Sequence, residues 1–140
     1  MYALDANSGT VLWHALRAET GVLLWRFTGY SGVFATVSPV VVNGVVYVGT
    51  DAGIIYALQA TDGTLLWHYD LPASFDNTLS LYGKPVIVND VLYVAVNSGT
   101  VYALRAHDGS LLWSHTNGRS AFGPLIVTDG TVQVSTQGNN

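Results

Sequence analysis

The sequence predicts an all-β fold built from repeated four-stranded antiparallel units, and three observations carry that prediction. Strand-forming Val, Ile, Tyr, Trp and Thr occur in short runs broken by Gly, Asn and Asp. No segment keeps a helical period for a dozen residues. One eleven-residue pattern, A-L-x-A-x-x-G-x-x-L-W, occurs four times without gaps, at 3–13, 15–25, 57–67 and 103–113. The tryptophans that close the four copies, Trp13, Trp25, Trp67 and Trp113, are all the tryptophans of the 140-residue chain.

A second unit accompanies the first: SPVVVNGVVYVGTDAG at 38–53, KPVIVNDVLYVAVNSG at 84–99 and GPLIVTDGTVQVSTQG at 123–138. In each, Pro leads Gly by 14 positions, and the third copy reads as having a longer turn, Thr128-Asp129-Gly130, with Gln133 where the others have Tyr47 and Tyr93. Trp25 to Trp67 is 42 residues and Trp67 to Trp113 is 46. A period of that size made of short strands marks the blades of a β-propeller, usually four strands each. One blade reads as strand A at 36–42, the Asn43-Gly44 turn, strand B at 45–50, a turn ending at Gly53, strand C at 54–60, a turn ending at Gly63, and strand D at 64–69. The full organisation reads as two C–D half-blades at 1–27, blades at 36–70 and 82–116, and an A–B half-blade at 121–137. The link 71–81 and the segment 28–36 are the longest stretches outside the repeat.

Each fixed position of the first pattern has a physical use. Gly9, Gly21, Gly63 and Gly109 follow Ser, Thr or Asp, as suits a turn residue with positive φ. The small Ala3, Ala15, Ala57 and Ala103 let a neighbouring element approach, and a Trp ring covers such a spot with about 150–250 Å² of surface. These twelve residues read as a device for docking one blade on the next, a structural role and not a catalytic one.

The pattern resembles the pyrroloquinoline-quinone-type (PQQ-like) repeat, whose tryptophan-docking motif is A-x-D-x-x-T-G-x-x-x-W. The first copy keeps Ala3, Asp5, Gly9 and Trp13, and the second keeps Ala15, Thr20, Gly21 and Trp25. The later copies keep Ala57, Gly63 and Trp67, and Ala103, Gly109 and Trp113; Arg17, Gln59 and Arg105 stand at the Asp position. Ser38 to Gly49 follows the companion pattern S-P-V-V-x-x-G-x-V-Y-V-G. The resemblance implies a propeller, a periplasmic or extracellular setting, and one of two functional classes. One is a non-catalytic scaffold that binds partner proteins through its loops. The other is a dehydrogenase that uses pyrroloquinoline quinone with Ca²⁺. The repeat is common to both.

The remaining features favour the scaffold. The chain has no Cys, which excludes disulfides and thiolate metal sites. Its nine carboxylates fall mostly in turns, where Asp caps its own backbone; Asp70 and Asp76, by the 71–81 link, are the two candidates for another role. His14 and His68 each follow a motif Trp and therefore face away from it, and no His spacing suggests a zinc site. No catalytic, cofactor-binding or metal residues are assigned, and no cofactor is expected. A net charge of −4 argues against nucleic acid as partner. Residues 27–50 carry no charge, but Pro39 and the Asn43-Gly44 turn make them strands rather than a membrane span. No secretory signal is visible at the N-terminus.

The chain thus reads as a partial propeller: two complete blades plus half-blades at both ends. The first two motif copies are offset by 12 residues instead of a full period, as though an A–B hairpin had been lost between them. The C-terminal A–B half and the N-terminal C–D half are complementary. The expected partners are therefore another protein or a second copy paired through the open blade edges.

Overall fold

The computed structural model describes residues 2–3, 10–16, 20, 23–31, 37–72, 81–118 and 121–136, and among these there are strands and turns but no helix. The first three strands, β1 (Tyr2–Ala3), β2 (Thr10–Leu16) and β3 (Leu23–Ser31), form a three-stranded sheet in the order β1-β2-β3. Four strands follow, β4 (Val40–Val42), β5 (Val45–Gly49), β6 (Ile54–Gln59) and β7 (Leu65–Asp70), in a sheet in sequence order, here blade 1. Blade 2 repeats it with β8 (Leu81–Val88), β9 (Val91–Val96), β10 (Thr100–Arg105) and β11 (Leu111–Thr116). A two-stranded sheet of β12 (Ala121–Thr128) and β13 (Thr131–Thr136) completes the described chain. All pairings are antiparallel. The architecture is that of a partial β-propeller.

The tight turns follow from local sequence. Asn43-Gly44 joins β4 to β5 with φ of 50° and 75°, the left-handed pair that a two-residue hairpin requires. Asn89-Asp90 does the same between β8 and β9 at 51° and 63°. The charge-free stretch around residue 43 is therefore a hairpin, and no helix among the described residues is long and apolar enough to cross a membrane.

Two expectations are corrected. Thr128 pairs with Thr131, so the third unit turns on Asp129-Gly130 alone, at φ of 51° and 72°; the extra residue lengthens strand β12 and not the turn. The first two motif copies, expected as two separate C–D half-blades, form a single sheet in which β2 carries both Trp13 and Ala15. An offset of 12 residues is one strand plus one turn, so the closing strand of the first copy serves as the opening strand of the second.

Alternation along the strands of blade 1 gives it two apolar faces. Val46, Val48, Ile54, Tyr56 and Leu58 form one cluster, against which Phe27 of β3 packs, its ring edge-on to Tyr56 at 5.2 Å. Tyr47, Ile55, Ala57, Trp67 and Leu71 form the other, joined by Leu81, Leu92, Val94, Val96, Tyr102, Leu104 and Ala106 of blade 2. The core of this chain thus lies between layers, as blade stacking demands.

Thr50, fully buried, pins the turn between β5 and β6: its Oγ1 donates to the carbonyl of Ile54 (3.2 Å) and accepts from the Ile54 N–H (3.1 Å). Val96 holds the corresponding place in blade 2, so the fold accommodates the valine shape. Thr50→Val should therefore lower stability by about 1–2 kcal/mol through hydrogen bonding alone. Urea melting checks this, and no change would mean that the backbone bond Thr50 N–H to Ile54 C=O (3.0 Å) suffices.

Candidate functional site: the blade-to-blade face

The motif positions meet first within each hairpin. Ala57 lies directly opposite Trp67 across β6 and β7, and Ala103 opposite Trp113 across β10 and β11. Ala3 and Trp13 are paired likewise, as are Ala15 and Trp25. Trp follows Ala by ten positions in every copy, and in the two complete blades the intervening turn with its bulge converts that spacing into a cross-strand pair. Gly9 and Gly21 lie outside the described residues.

The motif Trp then reaches the following blade. Trp67, 9% exposed, lies against the turn that joins β10 to β11: a Cβ placed on Gly109 would sit 2.5 Å from Cε3 of its ring. Gly109 has φ +74°, so this position demands glycine for its backbone as well as for the ring. The indole N–H of Trp67 donates to the carbonyl of Ala106 at 2.9 Å. The hydroxyl of Tyr47 donates to the same oxygen at 3.2 Å, and the two rings stand 6.0 Å apart. One carbonyl thus uses both lone pairs to satisfy two buried donors from the preceding blade. Burial, and then the negative charge of Asp90, push the Tyr47 phenol above its ordinary pKa, so it stays a donor.

The turn that receives the ring is rigid. Gly109 N–H donates to Arg105 C=O, Arg105 N–H to Ser110 C=O, and Ala106 N–H to Asp90 C=O, each at 2.8 Å. Asp108 Oδ1 accepts from the Ser110 hydroxyl (2.6 Å) and N–H (2.9 Å). Those two bonds, the hydroxyl's first, hold the Asp108 carboxyl below its usual range. Asp62 occupies the equivalent turn of blade 1, where Thr64 N–H donates to it at 2.9 Å and lowers it in the same way. His107 Nδ1 lies 2.6 Å from Asp90 Oδ2, tying the β10–β11 turn to the β8–β9 turn at the surface.

Ala106 and Tyr47 are contributors that the motif spacing does not single out. Ala106 is the second alanine of the motif, repeated as Ala6, Ala18 and Ala60; its recurrence is the one signal available. Its part is played by a main-chain oxygen, to which side-chain identity gives no clue. His68 is exposed beside buried Trp67, and Tyr47, Tyr56 and Tyr102 are buried in the packing. Trp113 departs from its counterpart: it is 41% exposed.

Among the described residues no three His, Cys, Asp or Glu side chains converge as a metal would need. Asp70 is exposed at the end of β7, and Asp76 lies outside the described residues. A shallow groove of about 360 Å³ is lined by Val37, Ser38, Leu81, Tyr82, Gly83 and Lys84. Val37 and Ser38 follow the segment 28–36 in sequence and Leu81 ends the link 71–81; residues 32–36 and 73–80 lie outside the described residues.

Four-stranded antiparallel blades, two of them stacked with Trp67 against the Gly109 turn, are the unit of a β-propeller of PQQ-like repeats. The family model for the outer membrane protein assembly factor BamB matches residues 1–140, and the chain belongs to that family. Among solved structures, the chain is similar to BamB from Moraxella catarrhalis, at 20% identity and a TM-score of 0.73, over 96% of this chain and 43% of that one. It is also similar to the quinohemoprotein alcohol dehydrogenase from Comamonas testosteroni, at 19% identity and a TM-score of 0.63, over 77% of this chain and 19% of that one. A europium-containing methanol dehydrogenase matches at 18% identity and a TM-score of 0.58, over 88% of this chain and 27% of that one. The chain spans less than half the length of each. No curated protein matches it in sequence.

Proposed function

We propose that this chain is a non-catalytic propeller segment that serves as a protein-interaction scaffold. In this reading the Ala, Gly and Trp of each motif are a tryptophan-docking device. It stacks the blades and leaves the loops between them to make the contacts. One observation carries the proposal: Val37 and Ser38, which follow the segment 28–36 in sequence, and Leu81 to Lys84, where the link 71–81 runs into β8, line the same groove. A rigid framework with contact residues gathered on its connecting segments is the usual division of labour in such folds. The partner is a protein and not a nucleic acid, in keeping with the net charge of −4. An extracytoplasmic setting goes with this reading, as does the family of the chain.

The rival reading is part of a quinone-dependent dehydrogenase, in keeping with the likeness of the fold to two such enzymes. Two measurements separate the readings. A photo-crosslinking residue at Tyr82 or Lys84 should give a discrete protein adduct in cells, and one at Ser110, in the turn after β10, should not. Titration with pyrroloquinoline quinone and Ca²⁺ should leave tryptophan fluorescence unquenched. Saturable quenching at micromolar quinone, or adducts equally abundant at Ser110, would overturn the proposal.

A further inference from the structure

The two edges of each sheet are finished differently, and the first strands are guarded. β4 is three residues long and follows Pro39. β8 carries Lys84 and Pro85 and breaks its pairing with β9 between Tyr82 and Val86, with Gly83 at φ +73°. β12 carries Pro124 and breaks its pairing with β13 between Ala121 and Leu125. Proline, lysine, bulges and short length are the devices that keep an edge strand from pairing with another chain. The fourth strands, β7 (LLWHYD) and β11 (LLWSHT), contain no Pro, Lys or Arg. Each ends its sheet and opens on an exposed pair of leucines, Leu65 and Leu66 at 42% and 46%, Leu111 and Leu112 at 43% and 41%. The bulge of β7 falls before Trp67, so Trp67 to Asp70 keep an unbroken register with Ala57 to Ile54.

Strand β7 has a described layer on both sides of its blade. One face of blade 1 packs on Phe27 of β3 and the other on blade 2, so what β7 leaves open is its edge. The Leu71 N–H donates to the Gly53 carbonyl at 2.9 Å, and hydrogen-bonded pairs alternate along an antiparallel ladder. Ile55 with Tyr69 and Ala57 with Trp67 are therefore the bonded pairs, and the main-chain N–H and C=O of His68 and Asp70 point away from β6. Among the described strands none lies beyond β7 to receive them.

We infer that β7 is a strand-addition site, where an extended apolar segment of a partner protein pairs as a fifth strand of blade 1. Main-chain bonds to His68 and Asp70 supply affinity, and an apolar side chain beside Leu66 supplies preference. The occupant belongs to another protein and not to a second copy, because each copy carries a net charge of −4, which opposes self-association. The site lies on a different strand from Tyr82 and Lys84 of the groove, so its failure would leave the scaffold reading standing.

A displayed library of random twelve-residue peptides, selected on the 140-residue chain, tests this. Recovered peptides should alternate apolar and polar residues and lack Pro. N-methylation, applied one residue at a time along a recovered peptide, should weaken binding about tenfold at every second residue and little between, as expected of a strand paired along one edge. His68→Pro removes the outward N–H without touching a bond to β6, and Leu66→Lys adds a guarding charge. Each should weaken the peptide about tenfold, with circular dichroism as the check on folding. A lysine in place of Ile126, exposed on β12, should change nothing. Should His68→Pro lose its fold, Leu66→Lys and the N-methyl series decide. Peptides weakened evenly along their length, peptides bound equally well by Leu66→Lys, or a library that yields no binder would overturn the inference. So would a dimer of the chain alone that Leu66→Lys dissociates, since β7 would then be the seat of a second copy.

Discussion

Trp67→Ala is expected to lower the free energy of unfolding by about 3–5 kcal/mol, the range for truncating a buried aromatic residue. The ring is 9% exposed within a cluster that takes residues from both blades, so no single sheet can collapse to fill the space. The substitution also removes one of the two donors to the Ala106 carbonyl, leaving Tyr47 at 3.2 Å. Because the lost contacts lie between blades, the expected signature is a loss of cooperativity as well as of midpoint in urea. A change below about 1 kcal/mol would mean that the blades are held by their aliphatic residues and that the docking role is wrong.

Gly109→Ala probes the same contact from the other side, and Gly118→Ala is its control. Both glycines have positive φ, +74° and +70°, but a Cβ at Gly118 meets nothing within 4 Å, whereas at Gly109 it meets the Trp67 ring at 2.5 Å. Gly118→Ala should therefore cost only the left-handed strain of an L-residue, about 1–2 kcal/mol. Gly109→Ala should cost that strain plus about 1–3 kcal/mol for displacing the indole. The decisive comparison is the double mutant. Without the Trp67 ring, Gly109→Ala should cost no more than Gly118→Ala, giving a clear coupling between residues 67 and 109 in thermal or urea melting. Additive effects would show that the turn and the ring are energetically independent.

The two substitutions differ in how far the sequence foretold them. Gly109 and Trp67 were both legible as motif positions, because a glycine after Asp108 and a tryptophan closing a hairpin recur with fixed spacing. The spacing also implies that Ala57 and Trp67 are cross-strand neighbours, as the register has them. What the motif did not reveal is which glycine the ring of Trp67 meets. Gly63 lies four residues before it in the sequence, but the ring packs on Gly109, one blade further on. The overlap of the first two copies in one sheet was hidden for the same reason. A repeat identifies strands, not the partners they take when a copy is incomplete. Ala106 was not legible because a carbonyl oxygen belongs to every residue and is selected only by position.

By itself the sequence determined the strands of the two complete blades, their Asn43-Gly44 turn, the pairing of Ala with Trp across a hairpin, and the family. Those properties are local: they follow from side-chain alternation, from residues that tolerate positive φ, and from a spacing that brings Ala opposite Trp. Only the tertiary structure decided which identical motifs are satisfied. Trp67 and Trp113 stand in the same eleven-residue pattern and beside equivalent tyrosines, yet one is 9% and the other 41% exposed. Burial depends on what lies across from a side chain. For Trp67 that is the Gly109 turn of blade 2, and for Trp113 no turn faces it among the described residues.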